Sequence, residues 1–401
     1  MSRLEDLIQQ LCPNGVEFKR VKDVFKRLRG TPITAKKMKE IHNINGKIKI
    51  FAGGKTVITA NELDIPNANI VRVPAVLVQS RGIIDVIYYE NEFTFKNEMW
   101  AYTHENKDSV KFLYYVLKNN IQKFRDEASG MGSLPQISLS VTEDFMIPFP
   151  PITIQREIVR ILDNFTELTA ELTAELTARK KQYEYYRDKL LTFGDDVKMV
   201  SLGNIATVTK LAGFEFSKYV KYSTTGNIIA LRGLNVKNGK LNLDDVKYID
   251  NSDLSKLNRS KLMVGDMLFT YVGTIGQVAL IDENDKFYLA PNVALIRLIN
   301  SIIIPKYMRY YFQTNKFWST QINRLLQSSS MQNIPMEKIR KFEIPVPPLE
   351  EQQRIVDILD RFDTLCNDLT SGLPAEIEAR KKQYEYYRDR LLSFKEKKVY
   401  E

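Results

Sequence analysis

The chain has 401 residues, of which 44% are hydrophobic and 27% charged, and it carries a net charge of +9. Those values describe a globular protein of two or three domains that buries its own core. No apolar run reaches the roughly 18 residues that span a bilayer, and the opening MSRLEDLIQQL lacks the apolar centre of an export signal, so a cytoplasmic protein with a polyanionic partner is expected.

In chain order, residues 1–152 read as a globular domain with 21 Lys/Arg against 17 Asp/Glu. Its basic residues crowd into FKRVKDVFKRLRG (18–30), which holds Lys19, Arg20, Lys26, Arg27 and Arg29, followed by Lys36, Lys37, Lys55 and Arg81. Short strand-like runs such as IIDVIYY precede the helical VKFLYYVLKNNIQKF, giving mixed α/β character. Residues 153–194 carry an apolar stripe at three- and four-residue steps, from Ile158 to Leu190, between Pro150-Pro151 and Gly194. A helix over that span is a rod of roughly 60 Å. Within it TAEL-TAEL-TA (169–178) repeats every four residues.

A second globular domain follows at 195–349, with 20 basic and 13 acidic residues. Its candidate nucleic-acid contacts are Lys210, Lys218, Lys221, Arg232, Asn235, Lys237, Lys240, Arg259, Lys261, Tyr271 and Thr274, mostly near Gly, Asn or Ser and hence on loops or strand ends. Lys grips phosphate; Arg and Asn read base edges. Residues 350–401 repeat the helical stripe, with Gly372-Leu373-Pro374 marking a kink or restart.

The chain is therefore two tandem halves. ARKKQYEYYRDKLL (178–191) recurs as ARKKQYEYYRDRLL (379–392), with only Lys189 and Arg390 differing, and IPFPPITIQREIVRILDNF matches IPVPPLEEQQRIVDILDRF. The helices are nearly identical while the globular domains share a sparse apolar skeleton. Like elements suit each other or a common partner; unlike elements suit different ligands. The expected fold is α+β: two mixed α/β domains separated by two long antiparallel, coiled-coil-like helices, as a pseudo-two-fold tandem repeat. Arg179, Lys180, Tyr183, Tyr186 and Arg187, with Arg380, Lys381, Tyr384, Tyr387 and Arg388, are candidate docking residues for two copies of one partner.

Recognisable catalytic motifs are missing. FAGGKTVIT has Lys49 where a phosphate loop needs its first glycine, VGTIGQ has too few glycines for a dinucleotide fingerprint, and the Pro-Pro pairs lack the preceding acid or amide of an adenine methyltransferase. Cys12, Cys366, His42 and His104 have no ligand spacing, so no metal is expected.

Two variable domains, each followed by a near-repeated helix with IPFPPITIQREIVRILD, IPVPPLEEQQRIVDILD, the TAEL repeat and the RKKQYEYYRD segments, resemble the specificity subunit of type I restriction–modification systems, the type IC branch in particular. GDMLFTYVGTIG and APNVALI also resemble parts of a target-recognition domain. The resemblance implies a non-catalytic DNA-binding subunit, each domain reading one half of an asymmetric bipartite site and the helices fixing the gap. It implies two methyltransferase subunits that use S-adenosylmethionine, and two restriction subunits that use ATP and Mg. Three rivals stand beside it: a self-sufficient methyltransferase or nuclease, a coiled-coil adaptor without a DNA role, and an orphan recognition subunit that borrows another system's methyltransferase.

Overall fold

The computed structural model describes residues 2–129, 134–211, 213–326 and 333–397. Contacts divide the chain into two units, Met1–Leu172 with Ile377–Glu401, and Thr173–Glu376. Each unit thus holds one globular domain together with helix from the opposite half of the sequence. Among the described residues no helix is long and apolar enough to cross a membrane.

In the first unit β1 (Phe18–Arg20), β2 (Lys26–Leu28), β3 (Ile48–Phe51), β4 (Val57–Ala60), β5 (Ala75–Gln79), β6 (Asp85–Tyr89), β7 (Phe93–Phe95), β8 (Trp100–Thr103) and β9 (Met146–Pro148) form three small sheets. Their orders are β2-β8-β5-β6, β4-β3-β7 and β1-β9. All neighbours run antiparallel except β3 and β7, which are parallel. Strand β5 is buried along its whole length, which is why it reads as an unbroken apolar run. Its side chains alternate. Val76 and Val78 join the core of Val110, Leu113, Ile154, Ile158 and Leu162, and Ala75 and Leu77 join that of Phe93 and Phe95.

That first core is closed by the end of the chain. Leu391 and Leu392 are buried in it, with Tyr384 and Tyr387 packed alongside, and Phe165 stacks on Tyr387 at 5.5 Å. Beyond Leu391 the chain straightens instead of continuing as helix, and Val16 pairs with Glu396 through Val16 N–H to Lys395 O (2.8 Å) and Lys397 N–H to Val16 O (2.9 Å). Gly15 permits this approach: its φ is +103°, and a Cβ there would lie 2.6 Å from Lys395 O.

The second unit contains β10 (Met199–Ser201), β11 (Ala206–Lys210), β12 (Ile229–Leu231), β13 (Val236–Lys237), β14 (Lys240–Leu241), β15 (Lys247–Tyr248), β16 (Met267–Thr270), β17 (Val278–Leu280), β18 (Phe287–Leu289), β19 (Val293–Leu298) and β20 (Glu343–Pro345). The orders β11-β19-β16-β17, β15-β12-β18 and β10-β20 reproduce the first unit strand for strand, including a parallel pair, β12 with β18. The hairpin β13-β14 is an addition. The tandem repeat legible in the sequence is therefore a repeat of topology, and the α+β class stands. Tyr183 and Leu191 are buried in this unit's core beside Ile355 and Leu359, and Tyr186 stacks on Phe362 at 5.7 Å.

Residues Ile152–Leu190 form one continuous helix through the TAEL repeat. The second helical stretch is broken, Leu349–Asn367 and then Leu373–Leu391. Asp368 caps the intervening turn, accepting from Thr370 N (2.7 Å) and Ser371 N (3.3 Å). The restart marked by Gly372-Leu373-Pro374 is thus observed.

Each long helix is fastened to its preceding domain by the same polar cluster. Asp163 accepts from Tyr115 Oη (2.5 Å) and pairs with Lys111 (2.7 Å); Asp360 accepts from Tyr310 Oη (2.6 Å) and pairs with Lys306 (2.7 Å). Burial by itself would raise the Asp360 carboxyl, but the Lys306 ammonium and the Tyr310 hydroxyl outweigh it and hold the carboxyl below its usual range. A depressed native value stabilises the fold above the unfolded carboxyl range, and that stabilisation disappears as pH falls below about 4. Asp360→Asn should therefore cost about 1 kcal/mol near neutrality, a value reduced for partial exposure. The difference from the parent should shrink in urea titrations carried toward pH 3.

Candidate nucleic-acid interface

The two parallel strand pairs end at corresponding edges, and three loops gather at each edge. In the first domain these are 52–55 after β3, 79–82 between β5 and β6, and 96–98 after β7. They are tied together. Gly53 N–H donates to Glu98 Oε1 (3.4 Å), Gln79 Nε2 to Gly54 O, and Ser80 Oγ to Glu98 O. Lys96 neutralises Glu98 at 2.9 Å.

The corresponding loops of the second domain, 232–234, 271–277 and 290–292, line a hollow of about 520 Å³ with Tyr222 and Thr270. Among the described residues no acidic side chain lines it. The middle loop is preformed: Thr270 Oγ1 accepts from Gln277 N (2.9 Å) and donates to Thr274 O, and Gly276 N–H donates to Thr270 O (2.8 Å). Gly276 has φ +80°, and a Cβ there would lie 2.6 Å from the Trp318 ring, so only glycine fits. Trp318, half-buried, supports this loop, and the other tryptophan, Trp100, donates to Thr142 Oγ1 (2.9 Å). Rigid loops presenting backbone N–H groups and polar tips around an acid-free hollow suit the edges of a polyanion.

The structure sorts the sequence candidates. Lys55 and Arg81 come together on the first frame, and Arg232 and Thr274 on the second; Lys55, Arg81 and Thr274 are exposed. Four cations of the densest basic run are answered by carboxylates. Lys19 pairs with Glu17 (3.2 Å), Arg20 with Asp23 (2.9 Å), Lys22 with Asp144 (2.5 Å) and Arg27 with Glu143 (3.2 Å). Lys26, Arg29 and Lys36 are exposed, and Lys37 lies 3.8 Å from Glu40. Arg27 and Arg29 line a neighbouring hollow of about 330 Å³ with Asn69, Trp100 and Asn97 of the 96–98 loop. In the second domain Lys210, Lys218, Lys221, Lys237 and Arg259 are exposed. Lys240 pairs with Asp363 (3.0 Å), Lys261 with Asp285 (2.5 Å) and Arg232 with Asp245 (3.1 Å).

Two candidates are corrected by burial. Asn235 is fully buried and cannot meet a base: its Oδ1 accepts from Arg232 N (3.0 Å), and its Nδ2 donates to Asn242 O (2.9 Å) and Asp245 O (2.8 Å). Tyr271 is 9% exposed and belongs to the core. Asn235→Ala would strand those buried groups and should cost about 2–4 kcal/mol. Thermal melting should show that loss without a change in which sequence is bound.

The helix-docking candidates are corrected in part. Tyr183, Tyr384 and Tyr387 pack against the chain's own cores, Tyr186 stacks on Phe362 yet stays 36% exposed, and Arg187 and Arg388 lie over Tyr183 and Tyr384. Arg179 pairs with Glu175 (3.4 Å) and Arg380 donates to Gln383 (3.0 Å), which leaves Lys180 and Lys381 outward. The tyrosines that face outward are Tyr185 and Tyr386, at 59% and 61% exposure. Helical spacing held the signal, since each lies off the stripe. Sequence reasoning also missed Tyr222 and Asn292; Asn292, with φ +70°, sits in the Pro-Asn step of APNVALI. Among the described residues no cluster of three or more His, Cys, Asp or Glu is placed to hold a metal ion.

The family described as type I restriction modification DNA specificity domain matches residues 13–179 and 194–379. The Escherichia coli type I restriction enzyme EcoR124I/EcoR124II specificity subunit is 36% identical over 301 residues, covering 72% of each chain. A Haemophilus influenzae chain named as a putative type I restriction enzyme specificity subunit is 33% identical over 315 residues, 74% of this chain and 77% of that one. The crystal structure of a type I restriction–modification S subunit from M. genitalium shares the fold, with a TM-score of 0.59 at 15% identity over 94% of this chain and 96% of that one.

Proposed function

Because the chain belongs to the family of type I restriction–modification DNA specificity subunits, we propose that it directs methylation to an asymmetric bipartite DNA site, the first domain reading one half and the second the other, and that it contributes no catalytic group itself. The observation that carries this reading is the repeated three-loop frame with unlike side chains. Gly53, Gly54, Lys55, Arg81 and Asn97 occupy one copy, and Arg232, Leu234, Thr274 and Asn292 the other. A common frame with different chemistry is what two different half-sites require. Positive charge concentrates in the globular domains and not in the helices, which favours DNA over an adaptor role.

The near-identical helices offer the same outward residues twice, Lys180 and Tyr185, then Lys381 and Tyr386. They suit two copies of one partner, an adenine-N6 methyltransferase subunit that brings S-adenosylmethionine. ATP and Mg belong to restriction subunits that join the same complex. An orphan subunit working with a borrowed methyltransferase would use the same surfaces.

The test is co-expression with the neighbouring methyltransferase subunit in a methylation-free host, with N6-methyladenine mapped across the genome. A new motif of two short unlike halves around a fixed gap is the expected result. A soluble complex that methylates nothing would overturn the reading and favour the adaptor.

A further inference from the structure

We propose that Arg81 reads a guanine in the half-site of the first domain, an inference that rests on the DNA-recognition reading above. Arg81 stands at the tip of the β5–β6 turn, whose backbone is fixed on its far side. Gly82 N–H donates to Pro135 O (2.8 Å) and Ile137 N–H to Ser80 O (2.9 Å), and Gly82 takes φ +76°. The backbone that carries the guanidinium is therefore held while the side chain is exposed.

Beside it the 52–55 loop presents bare backbone. Among the described residues a Cβ at Gly54 would meet nothing within 4 Å, and one at Gly53 would lie 3.4 Å from Glu98 Oε1 and 3.8 Å from Arg81 O. Neither glycine puts a side chain of its own between Arg81 and a base edge. The carboxylate of this frame, Glu98, is already engaged by Lys96 and Gly53 N–H, so it neither captures Arg81 nor repels phosphate strongly.

Four other arginines of the domain are occupied. Arg20 and Arg27 are in ion pairs, Arg72 bridges Glu62 (2.6 Å) and Glu92 (2.9 Å), and Arg125 donates to Ile84 O (3.1 Å). Among the described residues no carboxylate pairs with Arg81. Arg3 and Arg29 likewise have no carboxylate ion pair among the described residues, but Arg3 belongs to the helix Ser2–Leu11, and Arg29 lines the neighbouring hollow with Asn69, Asn97 and Trp100. A free planar fork on a fixed turn matches the O6 and N7 acceptors of guanine, whereas Lys55 supplies a point charge suited to phosphate. The second domain has Val272 at the Arg81 position and cannot make this contact, so the two half-sites differ there.

The experiment is the methylome of the full chain with its methyltransferase partner, comparing the parent with Arg81→Ala, Arg81→Lys and Lys55→Ala. Arg81→Ala should make one guanine of one half-site degenerate, its preference falling about tenfold or more, with the other half and the gap unchanged. Arg81→Lys should keep the complex assembled and retain part of the preference. Lys55→Ala should lower methylation evenly at all sites. An unchanged motif in Arg81→Ala with only an even loss, a change in both halves, or a first half-site without guanine would overturn the proposal. A parent chain that yields no bipartite motif would sink the DNA-recognition reading itself, and this proposal with it.

Discussion

Inserting one further TAEL after Leu176 should lengthen the unread gap of the recognition site by about one base pair and leave both half-sites intact. Four residues add about 6 Å of helix and 400° of rotation, a net turn of about 40°. One base pair advances about 3.4 Å and turns about 35°. The rotation therefore nearly matches a base-pair step, and the axial excess is absorbed if the rod lies oblique to the DNA. The structure gives a reason to expect that such an insertion is tolerated. Between Leu162 and Tyr183 no residue of the helix is fully buried, and the boundary between the two units falls inside the repeat, at Leu172 and Thr173. The second crossing, at Glu376 and Ile377, follows the break at 368–372. Methylome mapping of the insertion mutant checks this directly. Unchanged gap length with active methylation would refute the spacer role of the helix.

Leu191→Ala and Leu392→Ala, made at equivalent positions of the near-identical segments, should destabilise opposite domains from the ones that precede them. Leu191 is 1% exposed in the core of the second unit, and Leu392 is 9% exposed in that of the first. Each truncation should cost about 3 kcal/mol through lost burial and a residual cavity. Hydrogen exchange would locate the damage: β5 and β8 should lose protection in Leu392→Ala, and β16 and β19 in Leu191→Ala. The reverse assignment would contradict the exchange of helices between halves.

Much of this architecture was legible because repetition is a sequence property. The matching helices, the Pro-Pro entries and the apolar stripes from Ile158 to Leu190 and from Ile355 to Leu391 declared two halves and two helical stretches. What periodicity could not say was which half a stripe faces, since Tyr183 and Tyr384 carry the same apolar face wherever it docks. Nor could the linear density of charge say where charge survives folding. Lys19, Arg20, Lys22 and Arg27 look like a grip, but Glu17 and Asp23 answer the first two from nearby in sequence, and Asp144 and Glu143, far away in sequence, return beside the other two. Asn235 sat in a loop-like LRGLNVKNGK and was read as a base contact, but its three hydrogen bonds are local structure that no spacing rule distinguishes from a free amide. Arg81 was legible only as one basic candidate among many. That it has no carboxylate partner among the described residues required the fold.

The exchange of helices also sets an order of events during synthesis. The first domain has all of its strands once β9 is made, yet its core still lacks Leu391 and Leu392, its edge lacks the strand that meets Val16, and Glu5 awaits Arg390. These arrive only after the entire second domain has been translated. The second domain meets no such delay, because Tyr183 and Leu191 leave the ribosome before its own strands do. The nascent first domain must therefore hold an open apolar face through most of translation, a contact of very long sequence separation that closes last. Early termination in the final helix would accordingly be felt at the opposite end of the polypeptide.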